Sequence, residues 1–246
     1  MDTAVIEELS KMLSDKKVVS AEELGRKAIR AILRTLKDKA ADVNDGLIRD
    51  VVYSFIECPL SLKSLHFSEE VKIGDIKFYH LHTQKPEKED FDEAYREYVI
   101  SKSYLSKLEV MKDVTDRFFS EYDLENDGIL RIYSNNRYRY GVFYSRIEDV
   151  YEDVDHHIET SISFDGEYVV VVPTEDRVHP FIKFFRNHSE KVRRADMKIW
   201  VVNTESKTID PFVGYPKDFL LLKGFKNPKI ASLISSLWRV EVEDLD

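Results

Sequence analysis

Apolar positions in the first part of the chain recur at helical spacing and mark three successive amphipathic helices. Val5, Ile6, Leu9, Met12 and Leu13 form the apolar face of the first. The second opens with Ser20-x-x-Glu23, a capping-box pattern in which each side chain satisfies the other's end of the first turn. It continues through Leu24, Ala28, Ile32, Leu33 and Leu36. The third begins near Asn44 or Asp45 and repeats Leu47/Ile48, Val51/Val52 and Phe55/Ile56. Cys58-Pro59 stops it, because the residue before a proline is pushed out of the helical region. Three helices with short connections suit a small bundle or cap; a helix-turn-helix reader is the other arrangement they fit.

The pattern then changes. Residues 71–82 alternate as one or two short strands around Gly74-Asp75. The polar stretch from Thr83 to Asp92, with Pro86, reads as a linker between a helical N-terminal segment (1–85) and an α/β domain (86–246). Helical spacing returns over 90–122, through Phe91, Tyr95, Tyr98 and Val99 and then Tyr104, Leu108, Met111, Thr115, Phe118 and Phe119, with a break expected near Ser101. Strands follow at 129–133 and 138–147, with Ser134-Asn135-Asn136 as the turn. Residues 157–164 alternate as a strand ending in Asp165-Gly166, a hairpin turn signal. Glu167 to Val172 contains four consecutive valines, as expected of a strand buried on both faces. A helix starts at His179-Pro180 and runs to 194, Lys198–Val202 is a core strand, and a last helix covers about 228–238. The expected fold class is α/β: a helical N-terminal segment, then a mixed sheet flanked by helices.

Composition narrows the setting. No apolar run reaches the roughly 18–20 residues that span a bilayer, and the N-terminus lacks the basic and apolar regions of a secretory signal. The single cysteine, Cys58, suits a reducing compartment, so a cytoplasmic location without a membrane partner is expected. Abundant Lys and Glu with so little Cys also suit a thermophile. The formal net charge is −9, which counts against a dedicated nucleic-acid binder but leaves room for a local basic face.

The stretch His157-Ile158-Glu159-Thr160-Ser161-Ile162-Ser163-Phe164-Asp165-Gly166-Glu167-Tyr168-Val169-Val170-Val171-Val172-Pro173-Thr174-Glu175, with the helix and strand after it, resembles the central hairpin of the PD-(D/E)XK, or restriction-endonuclease-like, superfamily. The resemblance covers about residues 101–215 and rests on element order and hydrophobic pattern. It implies an Asp near the first hairpin strand, and a Glu or Asp two residues before a Lys on the second, holding one or two divalent metals that activate water. Here the Asp position falls at Glu159, and the acid and lysine positions fall at Val172 and Thr174. A valine cannot ligate magnesium and a threonine cannot supply the lysine's charge, so the resemblance implies a degenerate nuclease-like fold with no cofactor. Glu159 with Glu175, Asp176 and Lys183 could form a rearranged centre using magnesium or manganese; solvated loop and helix charges are the plainer reading of those residues.

Other residues add candidate contacts. Lys183, Arg186, Lys191, Arg193 and Arg194 cluster in one helix. Arg131, Arg137, Arg139 and Arg146 interleave with Tyr133, Tyr138, Tyr140 and Tyr144. Arginines suit phosphates and tyrosines suit bases, although the same alternation describes a half-exposed strand with its aromatics inward. Asp123-Leu124-Glu125-Asn126-Asp127-Gly128 looks like the start of a calcium loop, but its twelfth position is Ser134, so a helix-to-strand turn is expected. His80-x-His82 and His156-His157 lack the further ligands zinc needs, so no metal site is expected from them. No phosphate-cradling glycine loop occurs. The expected role is a non-catalytic adaptor or accessory subunit on DNA or RNA with a protein partner. A rearranged metal-dependent nuclease and a purely protein-binding module are the alternatives.

Overall fold

The computed structural model describes residues 3–36, 45–57, 67–81, 85–174 and 179–213. The chain divides into two compact units, Met1–Leu105 and Ser106–Asp246. The last expected helix, at 228–238, and Cys58 lie outside the described residues. No helix among the described residues is long and apolar enough to cross a membrane.

The first unit contains α1 (Thr3–Met12), β1 (Val18–Ser20), α2 (Ala21–Leu36), α3 (Asp45–Glu57), β2 (Phe67–Ile73) and β3 (Ile76–Leu81). It also holds the first half of α4 (Lys88–Phe118). The three helices fall where their periodicity puts them, with Val5, Ile6, Leu9, Leu24, Ala28, Ile32, Val51 and Phe55 buried. The expected strand pair around Gly74 is the β2–β3 hairpin, and Gly74 turns it at φ 61°, where a side chain would be strained. The short β1 was not legible in the pattern; it adds to β3 and gives an antiparallel sheet ordered β1-β3-β2.

Half of the capping box forms. The Glu23 backbone N–H donates to Ser20 Oγ at 3.1 Å, but the Glu23 side chain turns inward. It is fully buried, 3.5 Å from Lys27 Nζ and 3.9 Å from Lys16 Nζ. Around it runs a charged seam. Lys16 pairs with Glu93, Lys17 with Asp90 at 3.3 Å, and Arg26 with Glu97 at 2.9 Å. Arg26 Nε also donates to Ser101 Oγ at 3.1 Å. Ser101 is therefore a buried acceptor inside an unbroken 31-residue α4, and no break occurs there. Residues 88–92 of the expected linker form the first turn of the same helix.

Burial raises the Glu23 carboxyl above its ordinary value of 4.5, against the opposing pull of Lys27 and Lys16. Burial alone would lower Lys16, but its bond to Glu93 and the neighbouring charges of Glu23, Glu93 and Glu97 raise it.

The second unit is built on a six-stranded sheet ordered β4-β5-β6-β7-β8-β9. Its strands are β4 (Asp123–Asp127), β5 (Leu130–Ser134), β6 (Arg139–Tyr144), β7 (Glu167–Pro173), β8 (Lys198–Asn203) and β9 (Thr208–Val213). The pairs β6/β7 and β7/β8 are parallel and the others antiparallel. Helices α5 (Ile147–Ser163) and α6 (His179–Arg194) make the two crossovers and pack side by side on one face. The C-terminal end of α4 covers the other face, where Phe119 lies 4.4 Å from the Tyr133 ring and 5.1 Å from Tyr140, and Phe118 lies 5.4 Å from Trp200.

The expected strand at 157–164 is overturned, because those residues are the end of α5. Alternation of Ile158, Thr160 and Ile162 suggests a strand, yet Ile158 is buried and Ile162 is 71% exposed. The longer helical series Ile147, Val150, Val154 and Ile158 is buried as a stripe and wins. Asp165-Gly166 consequently makes no hairpin. It leads from α5 into β7, which pairs parallel with β6 from Tyr140↔Glu167 onward. The acidic segment 123–127 is neither an ion loop nor a plain turn but the edge strand β4. Its exposed charges and the bulge between Leu124 and Asn126 blunt that edge against pairing with another chain.

Two predictions follow from this packing. A Cβ on Gly141 would lie 2.8–3.0 Å from the Phe164 ring. Gly141→Ala is expected to cost about 2 kcal/mol by overpacking, and less in a Phe164→Leu background; urea unfolding of the four-member cycle measures both. The second concerns Glu23, whose raised folded value gives stability that is fully present below its ordinary value of about 4.5 and is lost as pH rises from there through the higher folded value. Wild type should therefore gain stability relative to Glu23→Gln on acidification toward pH 4.5. A difference that stays flat from pH 8 to 4.5 refutes this.

Candidate nucleic-acid interface

Helix α6 begins at His179-Pro180, where proline's missing N–H costs nothing. Phe184, Phe185 and Val192 are its buried face. Lys183, Arg186, Asn187, Glu190, Lys191, Arg193 and Arg194 are all exposed. Positions 183, 186, 187, 190, 191 and 194 form one stripe at helical spacing, which spans about 16 Å from Lys183 to Arg194. Five cations stand on this helix against one carboxylate. The sequence singled out these cations, and the fold presents them together.

Their neighbours were not legible, because they sit on α5. Glu148, Glu152, Asp155 and Glu159 recur at helical spacing on that helix, half-buried at Glu148 and exposed at the rest. Lys191 pairs with Asp155, Arg194 with Glu190, and Lys183 lies 4.2 Å over the Tyr151 ring. Burial, then Lys191, hold His188 below its ordinary value despite Asp155. The α6 face is thus basic with an acidic margin.

Arg137 and Arg139 stand at the β5–β6 turn. Arg137 is exposed, and its backbone N–H and that of Tyr138 both donate to Asn135 Oδ1 at 2.8 Å. Arg139 pairs with Glu125 at 3.0 Å, donates to the Asp165 carbonyl at 3.2 Å and lies 5.2 Å over the Phe164 ring. Bonds from Ser134 and then Arg139 hold the Glu125 carboxyl below its ordinary value. The start of β6 and the C-terminal end of α6, which leads into β8, share one end of the sheet. The starts of β6 and β8 are two strand spacings apart, about 10 Å.

The interleaved Arg–Tyr pattern is mostly interior. Tyr133, Tyr140 and Tyr144 are buried, as is Arg131, so they are not platforms for bases. Arg131 pairs with Asp116 at 2.9 Å and Asp127 at 2.8 Å, Tyr133 donates to Asp116 at 2.6 Å, and Tyr144 bonds Thr115. Burial pushes both phenols up. Arg146 is half-buried and pairs with Glu148 at 3.1 Å.

Of the four residues of the rearranged centre, Glu159 and Lys183 are among the described residues, and they stand on different helices. Glu159 is on α5, with its carboxylate 4.0 Å from His156. It lies about 12 Å further along that helix than Tyr151, on which Lys183 rests. Glu175 and Asp176 lie outside the described residues, as does His82. No group of three or more His, Cys, Asp or Glu able to hold a metal occurs among the described residues. His156 and His157 point apart: His157 is fully buried, with Nδ1 2.8 Å from Tyr168 Oη. Burial, then the charge of Asp153, raises the Tyr168 phenol well above its ordinary value. This buried polar cluster carried no sequence signal, since its members sit at core positions of α5 and β7.

Residues 97–227 match the family model described as a domain of unknown function (DUF6834), C-terminal domain. The match spans more than half of the 246 residues, and the chain belongs to that family. Residues 4–95 match a second model, described as a domain of unknown function (DUF6846). No curated protein matches the chain.

Proposed function

We propose that this protein is a non-catalytic, nucleic-acid-associated adaptor or accessory subunit that contacts phosphates through α6. The observation that carries this reading is the exposed cationic stripe Lys183, Arg186, Lys191 and Arg194, flanked by Arg193, in an otherwise acidic chain. Such a face gains affinity by releasing the counterions condensed on phosphates. Arg137 and Arg139 extend it at the same end of the sheet.

A degenerate relationship to the PD-(D/E)XK fold is part of the proposal, in a revised register. The order α4, β4, β5, β6, α5, β7 is helix, three strands, helix, strand, and it replaces the hairpin at 157–175 from which the resemblance is read, since 157–163 is helical. In this register the hairpin role passes to β5 and β6. Their residues, Leu-Arg-Ile-Tyr-Ser and Arg-Tyr-Gly-Val-Phe-Tyr, hold no carboxylate and no lysine. The reading as an adaptor rather than a nuclease draws on that chemistry. A protein partner is favoured by Tyr95 and Val99, 51% and 47% exposed one turn apart on α4, with Tyr98 stacked on Tyr95.

Fluorescence anisotropy with labelled DNA and RNA, duplex and single-stranded, tests the phosphate contact. Binding should weaken linearly in log salt, by about 0.7–0.9 per phosphate neutralised. Lys183→Glu with Arg186→Glu should lower affinity at least about tenfold and flatten that slope by about two. An unchanged slope rejects α6 as the contact. With magnesium or manganese the same substrates should remain intact. Cleavage that disappears in Glu159→Ala would overturn the non-catalytic reading.

A further inference from the structure

The first unit arranges its elements as α1–β1–α2–α3–β2–β3, with the strands ordered β1-β3-β2. We propose that this unit reads double-stranded DNA, with α3 entering the major groove and the β2–β3 hairpin touching the backbone beside it. The inference goes beyond the α6 reading, since it uses the other unit and assigns base reading instead of phosphate contact alone.

A helix-turn-helix pair holds its second helix against the first, so that the outer face of the second can enter the groove. Helix α3 is held in that manner. Val51 and Phe55, 1% and 2% exposed, anchor it, and α1, α2 and β2 all pack against it. Its outward side carries Arg49, Asp50 and Tyr53, which share one face, and Tyr53 is 64% exposed. The major groove, about 12 Å wide, admits one helix. Arg49 has the forked donor that matches guanine O6 and N7, Asp50 accepts from cytosine N4, and the Tyr53 ring suits a thymine methyl.

The hairpin lies against the same helix through β2. Gly74 tightens its tip, with Ile73 half-exposed beside it. Lys72 is exposed and Lys77 half-buried on its two strands, and they share Glu70 as a partner at 3.4 and 3.2 Å. The bond to Lys77 is the main cause holding the Glu70 carboxyl below its ordinary value. Acids outnumber cations on α3 and the hairpin, so this surface draws little affinity from phosphates in general. Its discrimination has to come from base edges, which predicts a large ratio of specific to non-specific binding.

The test is selection from a randomised duplex DNA library by the full chain. The expected result is an enriched motif. Arg49→Ala and Tyr53→Ala should each weaken binding to it about 5- to 100-fold. Lys72→Ala with Lys77→Ala should weaken all sequences alike. The substituted side chains are largely exposed, and an unchanged melting temperature verifies each fold. No enriched motif, or a motif bound at full strength by both α3 variants, overturns the proposal and leaves the α3 face to a protein partner. The two readings fail separately. Salt-sensitive binding that depends on α6 but shows no motif sinks this inference alone. A motif whose affinity and salt slope ignore the α6 reversals sinks the α6 reading alone.

Discussion

The architecture of the second unit depends on β7 having no polar face. All seven residues from Glu167 to Pro173 are buried, and four of them are consecutive valines. A strand of this kind must be covered on both sides, and its two parallel neighbours must each be reached by a crossover. Helices α5 and α6 supply the crossovers and one cover, and the end of α4 supplies the other. Even Glu167, at the start of the strand, is neutralised in place: Lys198 Nζ, itself buried on β8, sits 2.8 Å from it. Once α6 has committed Phe184, Phe185 and Val192 to this sheet, its remaining positions have nowhere to face but solvent. The basic stripe is therefore a consequence of how β7 is covered.

What could be read from the sequence follows the same logic. Continuous or strictly periodic apolar signals, such as those of α2, β7 and α6, gave elements in the right places. Short windows failed where two periods coincide: Ile158, Thr160 and Ile162 satisfy a strand locally, while Ile147, Val150, Val154 and Ile158 satisfy a helix over a longer span. That one exchange moved Glu159 from a hairpin to a helix surface and removed the basis for placing it beside a metal. It also hid the acidic series on α5, so the cations of α6 were legible but their partners were not. Strand β4 was missed for the opposite reason. An edge strand guarded by Asp123, Glu125 and Asp127 looks like a loop because those charges are its protection.

Buried charge is the other blind spot. Glu23, Arg26 and Arg30 are almost wholly inside the first unit, where the apolar pattern assigns nothing to them. Ion pairs taken out of water return little net stability, because desolvation consumes much of the attraction. Their geometry still selects one alignment of α2 against α4, since Arg26 must meet Glu97 and Ser101 together. The seam explains why α4 runs straight through Ser101. A serine that looked like an interruption is held as a hydrogen-bond acceptor on the packed face.

The overall charge of −9 decides less about nucleic-acid contact than it first suggests. Exposed charges beyond a Debye length of about 8 Å are largely screened at physiological ionic strength. Among the described residues of its own unit, a phosphate approaching α6 therefore responds first to the cations on that helix and to the nearest acids on α5. The relevant balance is local. Lys191 and Arg194 already have carboxylate partners, which a phosphate would have to displace, whereas Lys183 rests on an aromatic ring that competes with no anion. The same locality separates the two surfaces. On α6, cations outnumber acids and phosphate contact dominates. On α3 and its hairpin the acids Asp45, Asp50, Glu57, Glu69, Glu70 and Asp75 outnumber Arg49, Lys72 and Lys77, which suppresses non-specific attraction and leaves hydrogen bonding to base edges as the means of choosing a sequence.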